Sequence, residues 1–176
     1  MRVCRRVSLL PPPLTPPRAR ARRYWCFTKL LDNIQDHYTF SQPGIQRMVL
    51  RLEELVRRID ATLADHLAEQ GIQFLQFAFR WMNCLLMREL PLRAIVRLWD
   101  TCLAEGANGF EDFHTYVCAA FLCRFSEQLR EMGMEELLVF LQAFPTGSWG
   151  DRDIEMLLSQ AYILSTLFSG ATAHLS

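Results

Sequence analysis

Hydrophobic residues recur at intervals of three and four along most of the chain after residue 23. The clearest case is the segment 45–69, which has one continuous apolar face and carries Glu53–Arg57 and Glu54–Arg58 pairs on the other face. This spacing predicts an amphipathic helix, because residues three and four apart lie on the same side of an α-helix. Its apolar residues are Ile45, Met48, Val49, Leu52, Leu55, Val56, Ile59 and Leu63.

The same periodicity predicts about seven helices in all. Residues 72–88 are apolar on nearly every side, which predicts a buried helix with one narrow polar stripe. No alternating segment bounded by turns indicates a strand, so we predict an all-α fold. The polar stripe consists of Gln73, Gln76, Arg80 and Asn83. The other predicted helices cover roughly 24–35, 91–105, 111–132, 134–144 and 152–168. Trp25, Trp81 and Trp99 are interpreted as core aromatics.

Residues 1–23 differ sharply in composition from the rest of the chain. They hold five of the eight prolines, seven arginines and no acidic residue. Because proline interrupts helices and apolar residues are few here, we predict a disordered tail over 1–23. A tail without a specific role is the simplest interpretation. The alternatives are a mitochondrial presequence, a polyproline ligand, and a segment that binds acidic surfaces through its arginines.

The remaining 153 residues hold 12 basic and 19 acidic side chains, a formal charge of 12 − 19 = −7. Binding to a phosphate backbone needs clustered positive charge, so we expect no nucleic acid partner. Six cysteines are too few for a disulfide scaffold at this length and indicate a reducing compartment. Residues 156–176 carry no charge, but their many polar residues favour a docked terminal helix over a membrane anchor.

The common catalytic patterns do not occur in the sequence. It contains no G-x-S-x-G, no phosphate-binding glycine loop and no G-x-G-x-x-G, so we predict no catalytic residue and no cofactor. His114 and Cys118 lie four residues apart on a predicted helix, with Cys123 about a turn beyond. Zinc takes three or four ligands, usually in closely spaced pairs. We therefore interpret these three residues as part of a core face and predict no metal site.

Three short motifs lie between residues 74 and 106: Phe79-Arg80-Trp81, Arg88-Glu89-Leu90-Pro91 and Arg97-Leu98-Trp99-Asp100. At these spacings the run resembles the TBC domain, the helical domain of Rab GTPase-activating proteins, and within that family the member 22 type. Residues 24–46 are similar to the segment that precedes the motifs. The resemblance implies the C-terminal part of a TBC domain over 24–170, followed by a short tail, 171–176. It implies structural roles for Trp81, Arg88, Glu89, Pro91, Trp99 and Asp100.

In the TBC family, an arginine stabilises charge on the phosphate being cleaved and a glutamine orients the attacking water. An arginine supplied in trans is worth roughly 10³–10⁵ in rate. Both family residues lie upstream of the segment that 24–46 resembles, and neither I-x-x-D-x-x-R nor Y-x-Q occurs in the sequence. We therefore expect the N-terminal catalytic part to be missing or replaced. The chain is expected to resemble a GTPase activator, an enzyme regulator, without GAP activity of its own.

The expected partner is a Rab-type small GTPase, bound weakly or not at all. The resemblance also implies a part in vesicle trafficking, with the protein in the cytoplasm or peripheral on endomembranes. The alternative is a non-catalytic helical interaction module that uses an exposed apolar face, on helix 24–35 or its neighbours, or the basic tail. An unrelated helical enzyme or metal protein is the third hypothesis.

Overall fold

The computed structural model describes residues 16–106 and 108–168, and this part of the chain is built from helices. It contains no strand within those ranges, which confirms the predicted all-α class. A 3₁₀ turn, Gln35–His37, follows the first helix, and a π turn, Gly109–Phe113, precedes the sixth. The α-helices are α1 (Pro16–Ile34), α2 (Pro43–Ile59), α3 (Ala61–Glu69), α4 (Phe74–Asn83), α5 (Leu92–Ala104), α6 (His114–Arg124), α7 (Ser126–Arg130), α8 (Met134–Gln142) and α9 (Asp151–Phe168).

The chain forms two compact units, residues 1–32 and 33–176. The first unit contains most of α1, which begins at Pro16 rather than at the predicted Tyr24. Proline is tolerated in the first turn of a helix, because the N–H groups there have no intrahelical partner. The structure thus has a helix over residues 16–23, where the sequence had indicated a disordered tail.

Two other predictions about the ends of the chain have different outcomes. Trp25 was interpreted as a core aromatic, but 67% of its surface is exposed. Residues 1–15 of the predicted N-terminal tail and the predicted tail 171–176 lie outside the described residues. The expected tail functions therefore stay predictions.

α2 buries the face that its periodicity predicted. It packs against α3, α4 and α6 and supplies much of the core of the second unit. The expected ion pairs form on its outer face, Glu53–Arg57 at 3.2 Å and Glu54–Arg58 at 2.5 Å. Its buried apolar residues are Gly44, Ile45, Met48, Val49, Leu52, Leu55 and Val56.

The predicted helix 45–69 is divided by Asp60, which lies outside helical geometry at φ −144° and ψ 81°. The Leu63 backbone N–H donates to Asp60 Oδ1 at 3.0 Å, and the Ser126 hydroxyl donates to Oδ2. An aspartate in this position stabilises a helix start by satisfying a free N–H group. Asp60 thus ends α2 and begins α3, which packs against α7.

The central helix of the second unit is α6, which packs against α2 and α9. Residues 114–122 of α6 are all buried. The sequence had indicated a buried helix over residues 72–88, but α4 ends at Asn83 and leaves 50% of the Leu75 surface exposed. The predicted helix 111–132 is likewise divided into the π turn, α6 and α7, which is one reason why the described helices exceed the expected number.

The C-terminal helix is docked, as the sequence favoured. α9 packs against α6 and α5. Its buried residues are Ile154, Leu157, Leu158 and Ala161. Among the helices in the described ranges, none combines the length and apolar character that crossing a bilayer requires.

Gly109 allows the π turn to pack closely against the C-terminal part of α5. A Cβ atom at this position would overlap the carbonyl oxygen of Cys102 and lie 2.8 Å from its carbonyl carbon. The obstacle is backbone, so a side-chain rotation cannot relieve it. By contrast, a Cβ atom at Gly133, where φ is −79°, would meet no heavy atom within 4 Å.

We expect Gly109→Ala to lower the free energy of unfolding by about 1–3 kcal/mol, because the added methyl group overpacks a rigid contact. Urea denaturation followed by helix circular dichroism measures this change. Gly133→Ala is the matched control and should stay within about 0.5 kcal/mol of the wild type. Equal effects of the two substitutions would show that the close approach of the π turn to α5 is not required.

Candidate functional site

The motif-bearing residues converge on the junction between α4 and α5. This junction has two consecutive leucines in left-handed backbone geometry, Leu85 at φ 49° and Leu86 at φ 58°. Such conformations cost about 1–2 kcal/mol per residue for side chains with a Cβ atom, so surrounding contacts have to hold them. Both leucines are buried, and the Leu86 N–H donates to the Trp81 carbonyl at 3.0 Å. The Trp99 indole N–H donates to the Leu85 carbonyl at 3.1 Å.

A buried ion pair fixes the far end of the junction. Arg80 Nε donates to Glu89 Oε1 at 2.6 Å, and only 1% of the Glu89 side chain is exposed. The Arg80 guanidinium also donates to the Gln142 carbonyl at 3.1 Å, at the C-terminal end of α8. The Thr146 hydroxyl donates to the Glu89 carbonyl. One ion pair therefore holds α4, the junction, α8 and the loop after α8 together.

Trp81 places this ion pair beside an aromatic cluster. Its side chain has no accessible surface, as expected for a core aromatic. Its ring lies 5.4 Å from Phe121 and 5.5 Å from Phe144, centroid to centroid, in edge-to-face arrangements. Edge-to-face pairs add to the stabilisation that burial alone provides. The cluster joins α4 to α6 and to the end of α8.

The six residues of the expected family motif divide into two groups. Trp81 and Glu89 are buried and Trp99 is half-buried, and all three hold the junction; half-buried Pro91, at φ −60° and ψ 150°, starts α5. Arg88 and Asp100 are exposed. The structure therefore brings Trp81, Glu89, Pro91 and Trp99 together and leaves Arg88 and Asp100 facing solvent.

No pattern in the sequence indicates the Arg80–Glu89 pair. In the predicted helix 72–88, residues nine apart would point in opposite directions, because each residue turns the helix by about 100°. The end of α4 at Asn83 and the left-handed leucines turn Glu89 back toward Arg80. Only a prediction of the turn itself would have found the pair.

A groove of about 1000 Å³ lies between α2, the π turn and the end of α9. Arg51 forms an ion pair with Asp112 in this groove, and its guanidinium lies 5.4 Å above the Tyr116 ring. Arg47, at the rim, contacts Glu111 at 3.1 Å. These carboxylates neutralise the arginines, so the groove offers no concentrated positive charge to a phosphate group.

The three residues considered as metal ligands, His114, Cys118 and Cys123, lie in the core or at its edge. His114 Nδ1 is 3.7 Å from Cys118 Sγ, and both side chains are fully buried. Burial raises the pKa of Cys123 to about 12 and raises the pKa of Cys118 well above its usual value, so the thiols remain protonated at neutral pH. The described ranges contain no group of three or more His, Cys, Asp or Glu side chains able to hold a metal ion.

We expect Glu89→Gln to lower the free energy of unfolding by about 3 kcal/mol, because it leaves the half-buried Arg80 charge without its partner. Chemical denaturation measures the loss. Glu53→Gln removes the exposed partner of Arg57 and should change stability by no more than about 0.5 kcal/mol. A loss no greater for Glu89→Gln than for this control would contradict the central role of the ion pair.

Acid should destabilise the fold through His114. Burial, assisted by His37, lowers the pKa of His114 from 6.5 to about 3. Between these values the unfolded chain binds a proton that the folded chain excludes, so stability is full above pH 6.5 and declines as the pH falls toward 3. The contribution reaches about 1.4 kcal/mol per pH unit. His114→Gln should flatten the dependence of unfolding free energy on pH in this window, and an unchanged slope would refute the assignment.

The fold and the α4–α5 junction described above agree with the family and the relatives to which the chain is similar. Residues 17–130 match the Rab-GTPase-TBC domain family. The chain is 56% identical over 155 residues to "GTPase-activating protein gyp1" of Schizosaccharomyces pombe and to "TBC1 domain family member 22A" of Homo sapiens. Each alignment covers 88% of this chain and 30% of the relative, so the chain spans less than a third of the length of these proteins.

The solved structure of the Ypt/Rab-GAP domain of Gyp1p superposes on the chain with a TM-score of 0.80 at 52% identity. The superposition covers 84% of this chain and 46% of the solved chain. The family match begins at residue 17, close to the start of α1 and within the tail predicted from composition. The motif junction, the all-α bundle and this match together show that the chain belongs to the Rab-GTPase-TBC domain family.

Proposed function

We propose that this chain is a Rab-directed regulatory module of the TBC type that binds a Rab GTPase without supplying the catalytic arginine and glutamine. The family membership supports the partner class. The observation that carries the second part is in the sequence, where neither I-x-x-D-x-x-R nor Y-x-Q occurs in the 176 residues. An activator needs both groups in place, one for transition-state charge and one for the attacking water.

Several arginines are poor internal substitutes for the missing finger, because ion pairs already engage them. Seven arginines of the described residues are held in ion pairs with carboxylates, which already satisfy their charge. A finger has to present its guanidinium to the phosphate with little reorganisation. The paired residues are Arg47, Arg51, Arg57, Arg58, Arg80, Arg97 and Arg124.

The arginines near the N-terminus deserve a separate test. Arg20, Arg22 and Arg23 lie on α1 and are exposed, whereas the sequence had indicated a disordered tail at these positions. A helix holds side chains in better defined positions than a disordered segment does. Without a water-orienting glutamine, however, an arginine alone supplies only half of the family mechanism.

A second candidate function is a non-catalytic helical interaction module that acts independently of Rab proteins. The exposed aromatic side chains of α1 favour it: Tyr24, Trp25 and Phe27 each expose 60% or more of their surface. Exposed aromatic groups are typical of protein-binding surfaces. The nucleotide dependence of binding separates the two candidates.

The proposed Rab partner implies that the protein takes part in vesicle trafficking. We place it in the cytoplasm or at the surface of endomembranes. Fluorescence microscopy of the tagged full chain tests this placement. A signal that overlaps Rab-bearing vesicles or spreads through the cytoplasm agrees with the proposal. A signal confined to the mitochondrial matrix would contradict it and favour the presequence interpretation of the N-terminal segment.

The decisive assay measures binding and hydrolysis with the same purified chain and a panel of Rab proteins. We expect at least one Rab to bind more tightly in its GTP form than in its GDP form. We also expect single-turnover GTP hydrolysis to stay within about twofold of the intrinsic rate, against the roughly 10³–10⁵-fold effect of a supplied arginine. A variant with Arg18, Arg20, Arg22 and Arg23 changed to Ala should behave like the wild type in hydrolysis.

Two outcomes would overturn the proposal. Acceleration of GTP hydrolysis by about tenfold or more with the wild-type chain would refute the lack of catalysis. Such an acceleration is still only about a hundredth of the smallest effect of a supplied arginine. If the quadruple alanine variant abolished that acceleration, the α1 arginines would be the source. Failure to bind any Rab in either nucleotide state, by a chain shown to be folded, would refute the Rab-binding part and favour the second candidate.

A further inference from the structure

Helix α5 has two apolar faces. The fold of the second unit buries one of them and uses only Trp99 of the other, through its hydrogen bond to the Leu85 carbonyl. Its inner face consists of Ala94, Ile95, Leu98 and Cys102, all buried. On the outer face, Leu92 exposes 75% of its surface, Val96 54% and Leu103 43%. Trp99 lies between them and is half-buried. We call Leu92, Val96, Trp99 and Leu103 the outer seam.

The outer seam has the spacing of a helix-pairing surface. Its residues are separated by four, three and four positions, which places them in one straight stripe along three turns of α5. A repeat of this kind, averaging 3.5 residues, lets the side chains of one helix fit between those of another helix. The seam therefore favours a helical partner over a flat or extended one.

Two opposite charges flank the seam on one side. Arg93 and Asp100 are seven residues apart, so they lie on the same flank of α5, and both are exposed. Among the ion pairs of the described ranges, neither residue takes part in one. Arg97, the cation close to Asp100, is already held by Glu155 at 2.7 Å. The flank thus presents one free positive and one free negative charge.

The seam and its two flanking charges are self-complementary when two copies of α5 lie antiparallel. If a second α5 lies antiparallel across a two-fold axis between residues 97 and 98, Leu92 faces Leu103 of the second copy and Val96 faces Trp99. Arg93 then lies alongside Asp100 of the second copy, and the symmetry repeats the pair. Charges beside an apolar seam select the partner and its direction. We propose that the outer seam of α5 pairs antiparallel with the same seam of a second copy of this chain.

The pairing is a weak and concentration-dependent one. Three turns of helix bury much less surface than the ~1,200–2,000 Å² of a standard stable interface. The other flank of the seam is occupied by the chain's own core, because Ile95 and Cys102 point inward there. We therefore expect the dimer to form and dissociate without unfolding of the monomers.

Sedimentation velocity of the full chain, from about 1 to 500 µM, measures the monomer–dimer equilibrium. We expect reversible dimers in the upper part of this range. Arg93→Asp leaves only negative charge on the flank and Asp100→Arg only positive charge, so each variant alone should dimerise at least about tenfold more weakly. An equimolar mixture of the two variants should regain dimers, because opposite flanks then meet. The Arg93→Asp/Asp100→Arg double variant should also regain them.

Asp65→Arg is the control, since it makes the same charge change as Asp100→Arg at an exposed position on α3. It should leave the equilibrium unchanged, and circular dichroism melts confirm that every variant is folded. A chain that stays monomeric throughout this concentration range would overturn the proposal. That outcome is independent of Rab binding and leaves the proposed function untouched. Dimers that persist equally in both charge variants, or a mixture that does not recover them, would show that another surface or another orientation is used.

Discussion

The fold depends on a constraint at one turn: two buried leucines in left-handed geometry have to be held between α4 and α5. The backbone cost of that turn is offset by the buried Arg80–Glu89 pair on one side and the Trp99 hydrogen bond on the other. These contacts direct α5 to its place beside α9 and the π turn. The same ion pair anchors the end of α8, so several helices share one set of polar contacts.

The family motif acquires a physical meaning from this arrangement. Trp81, Glu89, Pro91 and Trp99 serve the turn and its surroundings, and none of them presents a free charge to solvent. Arg88 and Asp100 are the exposed members, and Asp100 flanks the outer seam of α5. Most residues of the motif therefore hold helices together in this structure.

Periodicity predicted the regular parts of the fold well and the interruptions poorly. The face of α2 and its two Glu–Arg pairs follow from spacing alone, because local geometry fixes them. The break at Asp60 was missed because the apolar periodicity continues across it. The Ser126 hydroxyl, which also contacts Asp60, is distant in the sequence. The start of α1 was missed because proline was treated as a barrier, although it fits a first turn. The Arg80–Glu89 pair needed the turn, and the turn had no sequence signature.

Hydrogen exchange of the backbone amides of residues 84–90 tests most directly whether this turn belongs to the core. The Leu86 N–H is hydrogen-bonded to Trp81 inside the bundle, so opening it requires the surrounding helices to separate. The predicted result is protection of Leu86 as strong as that of the amides in the middle of α6. Rapid exchange at Leu86 while α6 remains protected would contradict the account, because the turn would then open without disturbing the core.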